Sequence, residues 1–96
     1  MVSSTKQTLT RMLNNLKGSF FRRRDFAKVL MMIEMALAVD PASRQEIHDR
    51  GMINFLLKRY GKAMADLRAY LDLSPSDDPQ IQDVRTMMHR IRAMHN

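Results

Sequence analysis

Displacing the sequence by 34 residues against itself brings Pro41 onto Pro75, Phe26 onto Tyr60, Ile33 onto Leu67, Leu37 onto Leu71, Val39 onto Leu73 and Leu13 onto Ile47. Prolines, aromatics and aliphatics coinciding at one displacement mean that the chain is built from a repeated unit, and each unit must bury its apolar face against the next. Within each unit the apolar residues recur at three and four, and the three prolines and three glycines punctuate the chain sparsely. That spacing belongs to helices and not to strands. It predicts an all-α chain of five antiparallel helices.

The helix ends are written in capping residues. Ser4-Thr5-Lys6-Gln7 has the capping-box form, so the first helix starts there and runs to about Arg23, with Leu9, Leu13, Leu16 and Phe20 in one stripe and Met12 beside it. Asp25 caps a second helix that continues through Val39 until Pro41 stops it. Ser43-Arg44-Gln45-Glu46 repeats the box form and opens a third helix ending near Arg59; a fourth runs from there to Leu73. Asp78-Pro79 supplies a cap and a proline at the first helical position, predicting a fifth helix over about Pro79 to Met94. The expected core is Leu13, Leu16, Phe20, Phe26, Val29, Ile33, Ile47, Leu67 and Leu71.

A period of 34 with an aromatic opening the second helix of each unit and a proline closing it resembles the tetratricopeptide repeat. Residues 10–43 and 44–77 look like two helix-turn-helix repeats, and 78–96 like a C-terminal capping helix over the last apolar face. In that pattern the two helices of a unit approach through small residues. The second unit complies with Gly51 and Ala63, whereas the first has Lys17 and Val29, so its helices should stand further apart or the lysine stem must turn outward. Tyr70 likewise stands where Ala36 stands in the first unit. Arg50 takes the place of Leu16 and needs an acid, Asp49, Asp66 or Asp83, because an unpaired buried charge is costly.

A longer match covers about residues 5–92. Arg11-Met12-Leu13-Asn14-Asn15-Leu16-Lys17-Gly18, Arg24-Asp25-Phe26, Asp49-Arg50-Gly51 and the run from Tyr60-Gly61-Lys62 to Tyr70-Leu71 resemble, in order and spacing, the C-terminal repeat region of the bacterial SirB-type family. In that family a transglutaminase-like domain precedes tetratricopeptide repeats. The resemblance implies a helical-repeat fold and a scaffold role; the family's N-terminal domain is not in this sequence, so no enzymatic residue carries over. The implied partner is that domain or a separate protein.

The side chains available for chemistry agree with a role other than catalysis. The absence of cysteine excludes a disulfide framework, a thiolate metal site and a cysteine nucleophile. His48, His89 and His95 have no second ligand at metal spacing, apart from the weak pair of His48 with Asp49, and no nucleophile with a base stands out. No catalytic residue, cofactor or metal is therefore expected. Sixteen Lys and Arg against ten Asp and Glu give a net charge of +6. Arg22-Arg23-Arg24, with Arg11 and Lys17, makes a small basic nucleic-acid-binding protein the alternative. A basic helix C-terminus explains the cluster as well, and Phe20, Phe21 and Phe26 lie at core spacing, so nucleic acid is disfavoured as a partner. Uncharged runs such as Val29 to Ile33 are far too short to span a membrane, and Met1-Val2-Ser3-Ser4 opens no export segment. A soluble, cytoplasmic chain is expected.

Two surfaces follow from repeat position. The groove formed by the first helices of the units should be lined by Arg11, Asn14, Gly18, Phe21 and Arg22, and by His48, Met52 and Phe55. Its expected ligand is a mixed apolar and cationic segment. The second helix is apolar almost all round, and Met31, Met32 and Met35 are surplus to its buried face. Flexible thioethers in a contiguous patch suit an interface, either with a further domain or with a second copy in a homodimer through this helix.

Overall fold

The computed structural model describes residues 5–95, which form α1 (Thr5–Arg22), α2 (Phe26–Val39), α3 (Arg44–Leu56), α4 (Tyr60–Leu73) and α5 (Ile81–His95). The described residues contain no strand. Each helix packs on its chain neighbour, α1 on α2, α2 on α3, α3 on α4 and α4 on α5. The radius of gyration, 14.2 Å, exceeds the roughly 12–13 Å of a compact domain of this length. The helices therefore stack as a short array measuring 51 × 32 × 19 Å.

Local chemistry sets the helix ends. Asp25 accepts the Lys28 backbone N–H at 3.3 Å, and Ser43 Oγ accepts that of Glu46 at 3.4 Å. The second arm of the Ser43 box is missing, because the Glu46 carboxylate turns away to Lys17. Ser4, expected to cap α1, lies outside the described residues. The α1–α2 and α3–α4 turns are built alike. Asp25 N–H reaches Phe20 C=O and Arg24 N–H reaches Phe21 C=O, both at 2.9 Å; Arg59 N–H reaches Asn54 C=O at 2.8 Å and Lys58 N–H reaches Phe55 C=O at 2.9 Å. This is the Schellman closure, which puts one residue in the left-handed region, here Arg24 at φ 58° and Lys58 at φ 62°. It also stops α3 at Leu56, short of the Arg59 expected from sequence.

The fifth helix begins at Ile81, two residues later than expected. Asp78 is occupied otherwise: Oδ2 accepts from Tyr70 Oη and from Arg44 Nη1, each at 2.6 Å, while Oδ1 accepts the Gln80 N–H at 2.8 Å. These bonds hold the chain before α5 in turns. The Tyr70 bond and the Gln80 N–H, with Arg44 nearby, hold the Asp78 carboxyl below the ordinary aspartate value.

Ile33, Leu67 and Ile91 are fully buried, with Val29 and Val84 beside them. Of the expected core, Leu13, Val29, Ile33, Ile47 and Leu67 are buried, and Phe20, Phe26 and Leu71 lie half-buried against it. Leu16, expected in the core, is instead 42% exposed. By the 34-residue displacement Leu16 holds the place of Arg50, which faces the preceding helix pair and reaches Glu34 of α2. Among the described residues no helix lies on the corresponding side of α1. Gly51 marks the close approach of α3 to α4: a Cβ there would stand 3.1 Å from Leu67 Cδ2 and 3.2 Å from Asp66 Cβ. In the first pair Val29 is buried, and Lys17 extends its stem away toward α3.

Candidate partner-binding groove

α1 and α3 run side by side across a gap spanned by one side chain. Lys17 Nζ donates to Glu46 Oε1 at 2.8 Å and to Asp49 Oδ2 at 3.0 Å. The two acids lie one turn apart on α3 and so face α1 together. Burial works against the Lys17 ammonium, but the hydrogen bonds to Glu46 and Asp49 and the charges of both outweigh it and raise its pKa above the ordinary lysine value. Burial likewise opposes ionisation of Asp49. Hydrogen bonds with His48, Lys17 and Gln45, and the Lys17 charge, outweigh that and hold its carboxyl below the ordinary aspartate value.

Beside this bridge lies an open cavity of about 430 Å³, lined by Asn14, Lys17, Gly18, Phe21 and Arg22 of α1, Val29 of α2, and Asp49, Met52 and Ile53 of α3. The buried Val29 and Ile53 contribute to its lining, and Phe21 stands half-exposed. Of the residues expected in the groove, Asn14, Gly18, Phe21, Arg22 and Met52 line this one cavity. Arg11 does not join them; it borders a separate depression with Lys6, Gln7, Thr10 and Asn14. His48 is held against Asp49 at 3.2 Å, its ring 5.4 Å from that of Tyr70. Phe55 packs half-buried with Tyr60, ring centroids 5.8 Å apart. Lys17, Val29, Asp49 and Ile53 are lining residues that sequence reasoning missed. The signal for two of them was present, since acids at Glu46 and Asp49 require a cation on the neighbouring helix.

A second network crosses from α3 to α2 and α4. Arg50 donates to Asp66 Oδ1 from Nε at 3.0 Å and pairs with it through Nη2 at 2.9 Å; its Nη1 donates to Glu34 at 3.1 Å. Asn54 Nδ2 donates to Asp66 Oδ2 at 3.0 Å, and Asn54 Oδ1 is buried without a partner among the described residues. Arg50 thus pairs with Asp66, one of the three acids expected for it, and with Glu34, which was not expected. On α2, Met31 is 58% exposed and Met35 is exposed, while Met32 is half-buried. Met12 and Leu16 of α1 are exposed as well. Among the described residues no three of His, Asp and Glu gather as a metal-ligand set, and no helix is long and apolar enough to cross a membrane.

The model of the tetratricopeptide repeat family matches residues 16–92. The chain belongs to that family. Tetratricopeptide repeats generally mediate protein–protein interactions and are generally non-catalytic. The chain is also similar to a UPF0162 protein of Buchnera aphidicola subsp. Baizongia pistaciae, 29% identical over 86% of this chain and 30% of the relative. A UPF0162 protein of Buchnera aphidicola subsp. Acyrthosiphon pisum is 26% identical over 93% of this chain and 33% of the relative. This tetratricopeptide chain therefore spans about a third of the length of the curated relatives it matches.

Proposed function

We propose that the chain is a non-enzymatic scaffold of two tetratricopeptide repeats, residues 10–43 and 44–77, with 78–96 as the cap, and that it binds protein in the α1–α3 groove. The observation that carries this reading is the open cavity between the two helices, with Phe21 and Met52 on opposite helices above buried aliphatics. Such a surface takes an apolar side chain of a partner. Asp49, the acid in its lining, is already bonded to Lys17, Gln45 and His48, and among the described residues Arg22 has no acidic partner. The cationic ligand expected from sequence therefore gives way to a segment with apolar and anionic groups. The resemblance to the SirB-type family makes a transglutaminase-like domain the first candidate partner; a separate protein is the other.

The reading is tested by selecting peptides from a random library on the full chain and measuring them against Phe21→Ala and Met52→Ala. Loss of affinity of about ten-fold in each variant is expected. Peptides that bind both variants as tightly as the native chain contradict the groove. A purified transglutaminase-like domain of the SirB-type family, titrated against the same variants, tests the first candidate separately.

The scaffold is also proposed to self-associate through Met31, Met32 and Met35. Met12 and Leu16 extend that apolar surface: they hold the places of Glu46 and Arg50, which reach the preceding helix pair through Lys17 and Glu34. A face at which repeats stack in one place and which is apolar in the other suits a symmetric contact between copies.

A further inference from the structure

Because α1 with α2 and α3 with α4 form antiparallel pairs, the turns at residues 23–25 and 57–59 lie at the same end of the array. That end carries Arg22, Arg23, Arg24, Lys58, Arg59 and Lys62, and among the described residues none of the six has an acidic partner. Its one acid, Asp25, caps α2 and lies 3.6 Å from Lys28 Nζ. The remaining acids sit at mid-helix or toward the other end, with Asp40, Asp72, Asp77 and Asp78. The array is electrically polarised along its helix axes.

Between the two turns of the basic end lies a cavity of about 350 Å³ lined by Phe21, Arg22, Arg24, Phe26 and Leu56. Phe21 and Phe26 meet edge to face at 5.8 Å, and Leu56 stands half-exposed opposite them. The lining side chains are apolar or donate N–H, and none offers an acceptor. An occupant must therefore combine an apolar side chain with anionic acceptors close by. We propose that this edge docks an acidic protein segment through one apolar anchor residue, with the anchor in the Phe21–Phe26–Leu56 cavity and its flanking carboxylates on the arginines and lysines of the two turns. A nucleobase fits less well, because the ring N–H or exocyclic amino donors that every base carries would meet no acceptor side chain and lose their water. Arg24 and Lys58 support the assignment from another side: both hold left-handed backbone in a turn that glycine closes without strain, and both project a cation at this edge.

The proposal rests on the scaffold reading and names the chemistry of a partner, but Arg24, Leu56 and Lys58 lie outside the α1–α3 groove, so the two fail separately. Fluorescence anisotropy on the full chain tests it, using a short labelled peptide of glutamates around one central phenylalanine. The controls are the same peptide with serine in place of the phenylalanine, and a labelled oligothymidylate of equal charge. Binding of the phenylalanine peptide should weaken with added salt and fall about ten-fold in Leu56→Ser and in the Arg24→Glu, Lys58→Glu double variant. The serine peptide should bind about ten-fold more weakly than the phenylalanine one. Equal binding of the two peptides, indifference to Leu56→Ser, or tighter binding of oligothymidylate overturns the proposal. Thermal midpoints of the variants at or near the native value exclude misfolding as the cause of a loss, since every altered side chain is on the surface.

Discussion

Arg24 and Lys58 stand at equivalent places 34 residues apart and share a left-handed backbone, φ 58° and 62°. Each closes its turn through the same two hydrogen bonds. A side chain with Cβ costs about 1–2 kcal/mol in this conformation, and glycine costs about 0.5–1 kcal/mol of extra unfolded-state entropy. Arg24→Gly and Lys58→Gly should therefore each stabilise the chain by about 0.5–1 kcal/mol in denaturant unfolding. A decrease in either variant would contradict the strain assigned to these turns.

Packing separates residues that the sequence pattern treats alike as core. Ile33→Ala and Leu67→Ala, at fully buried sites, should each cost about 2–5 kcal/mol, while the exposed Leu16→Ala should stay within about 0.5 kcal/mol. Gly51→Ala should cost about 0.5–2 kcal/mol net, because overpacking of the added methyl against the fully buried Leu67 and against Asp66 exceeds the about 0.5–1 kcal/mol that alanine gains in a helix. Urea unfolding midpoints of the four variants measure this order, and a Leu16→Ala loss equal to that of Ile33→Ala would place a helix over α1.

Five helices and the buried aliphatics at Leu13, Val29, Ile33, Ile47 and Leu67 were legible in the sequence because period and caps agree there. Leu16 was misread because its spacing is that of its buried neighbours; only its place at the edge of the stack distinguishes it. The start of α5 shifted because Asp78 serves Tyr70 and Arg44 across the fold, a tertiary demand that local capping patterns do not carry. In the groove, repeat position brought out Asn14, Phe21, Arg22 and Met52. His48 and Phe55 were drawn elsewhere by the aromatic rings of Tyr70 and Tyr60, each on α4. Lys17 looked like a misfit for its repeat position and is instead the bridge between α1 and α3.

That bridge gives the stability a pH dependence of known sign. The Asp49 pKa is lowered by folding, so its contribution is complete above the ordinary aspartate value and is lost as pH falls through the folded one. The Lys17 pKa is raised, so its contribution is complete below the ordinary lysine value and is lost as pH rises through the folded one. Asp49→Asn should flatten the acid side of the stability profile. Lys17→Met should cost about 2–3 kcal/mol near neutrality by leaving Glu46 buried and unpaired, less than the 3–5 kcal/mol of a fully buried pair. Thermal midpoints recorded from acid to alkaline pH read both effects, and parallel profiles for Asp49→Asn and the native chain would contradict the bridge.

Self-association is read by sedimentation velocity. The native chain should sediment as a dimer at high micromolar concentration, and replacing Met31, Met32 and Met35 together by Gln, Lys and Glu should give a folded monomer. A native chain that remains monomeric throughout that range contradicts the contact through α2.

The most direct test of the scaffold reading is an amide chemical-shift titration of the full chain with a library-selected peptide. The largest changes should fall on Asn14, Gly18, Phe21 and Met52, the two walls of the α1–α3 groove, with the buried face of α5 at Val84 and Ile91 unmoved. Changes gathered on α5, or on the Glu34–Arg50–Asp66 network with the groove silent, would contradict that reading.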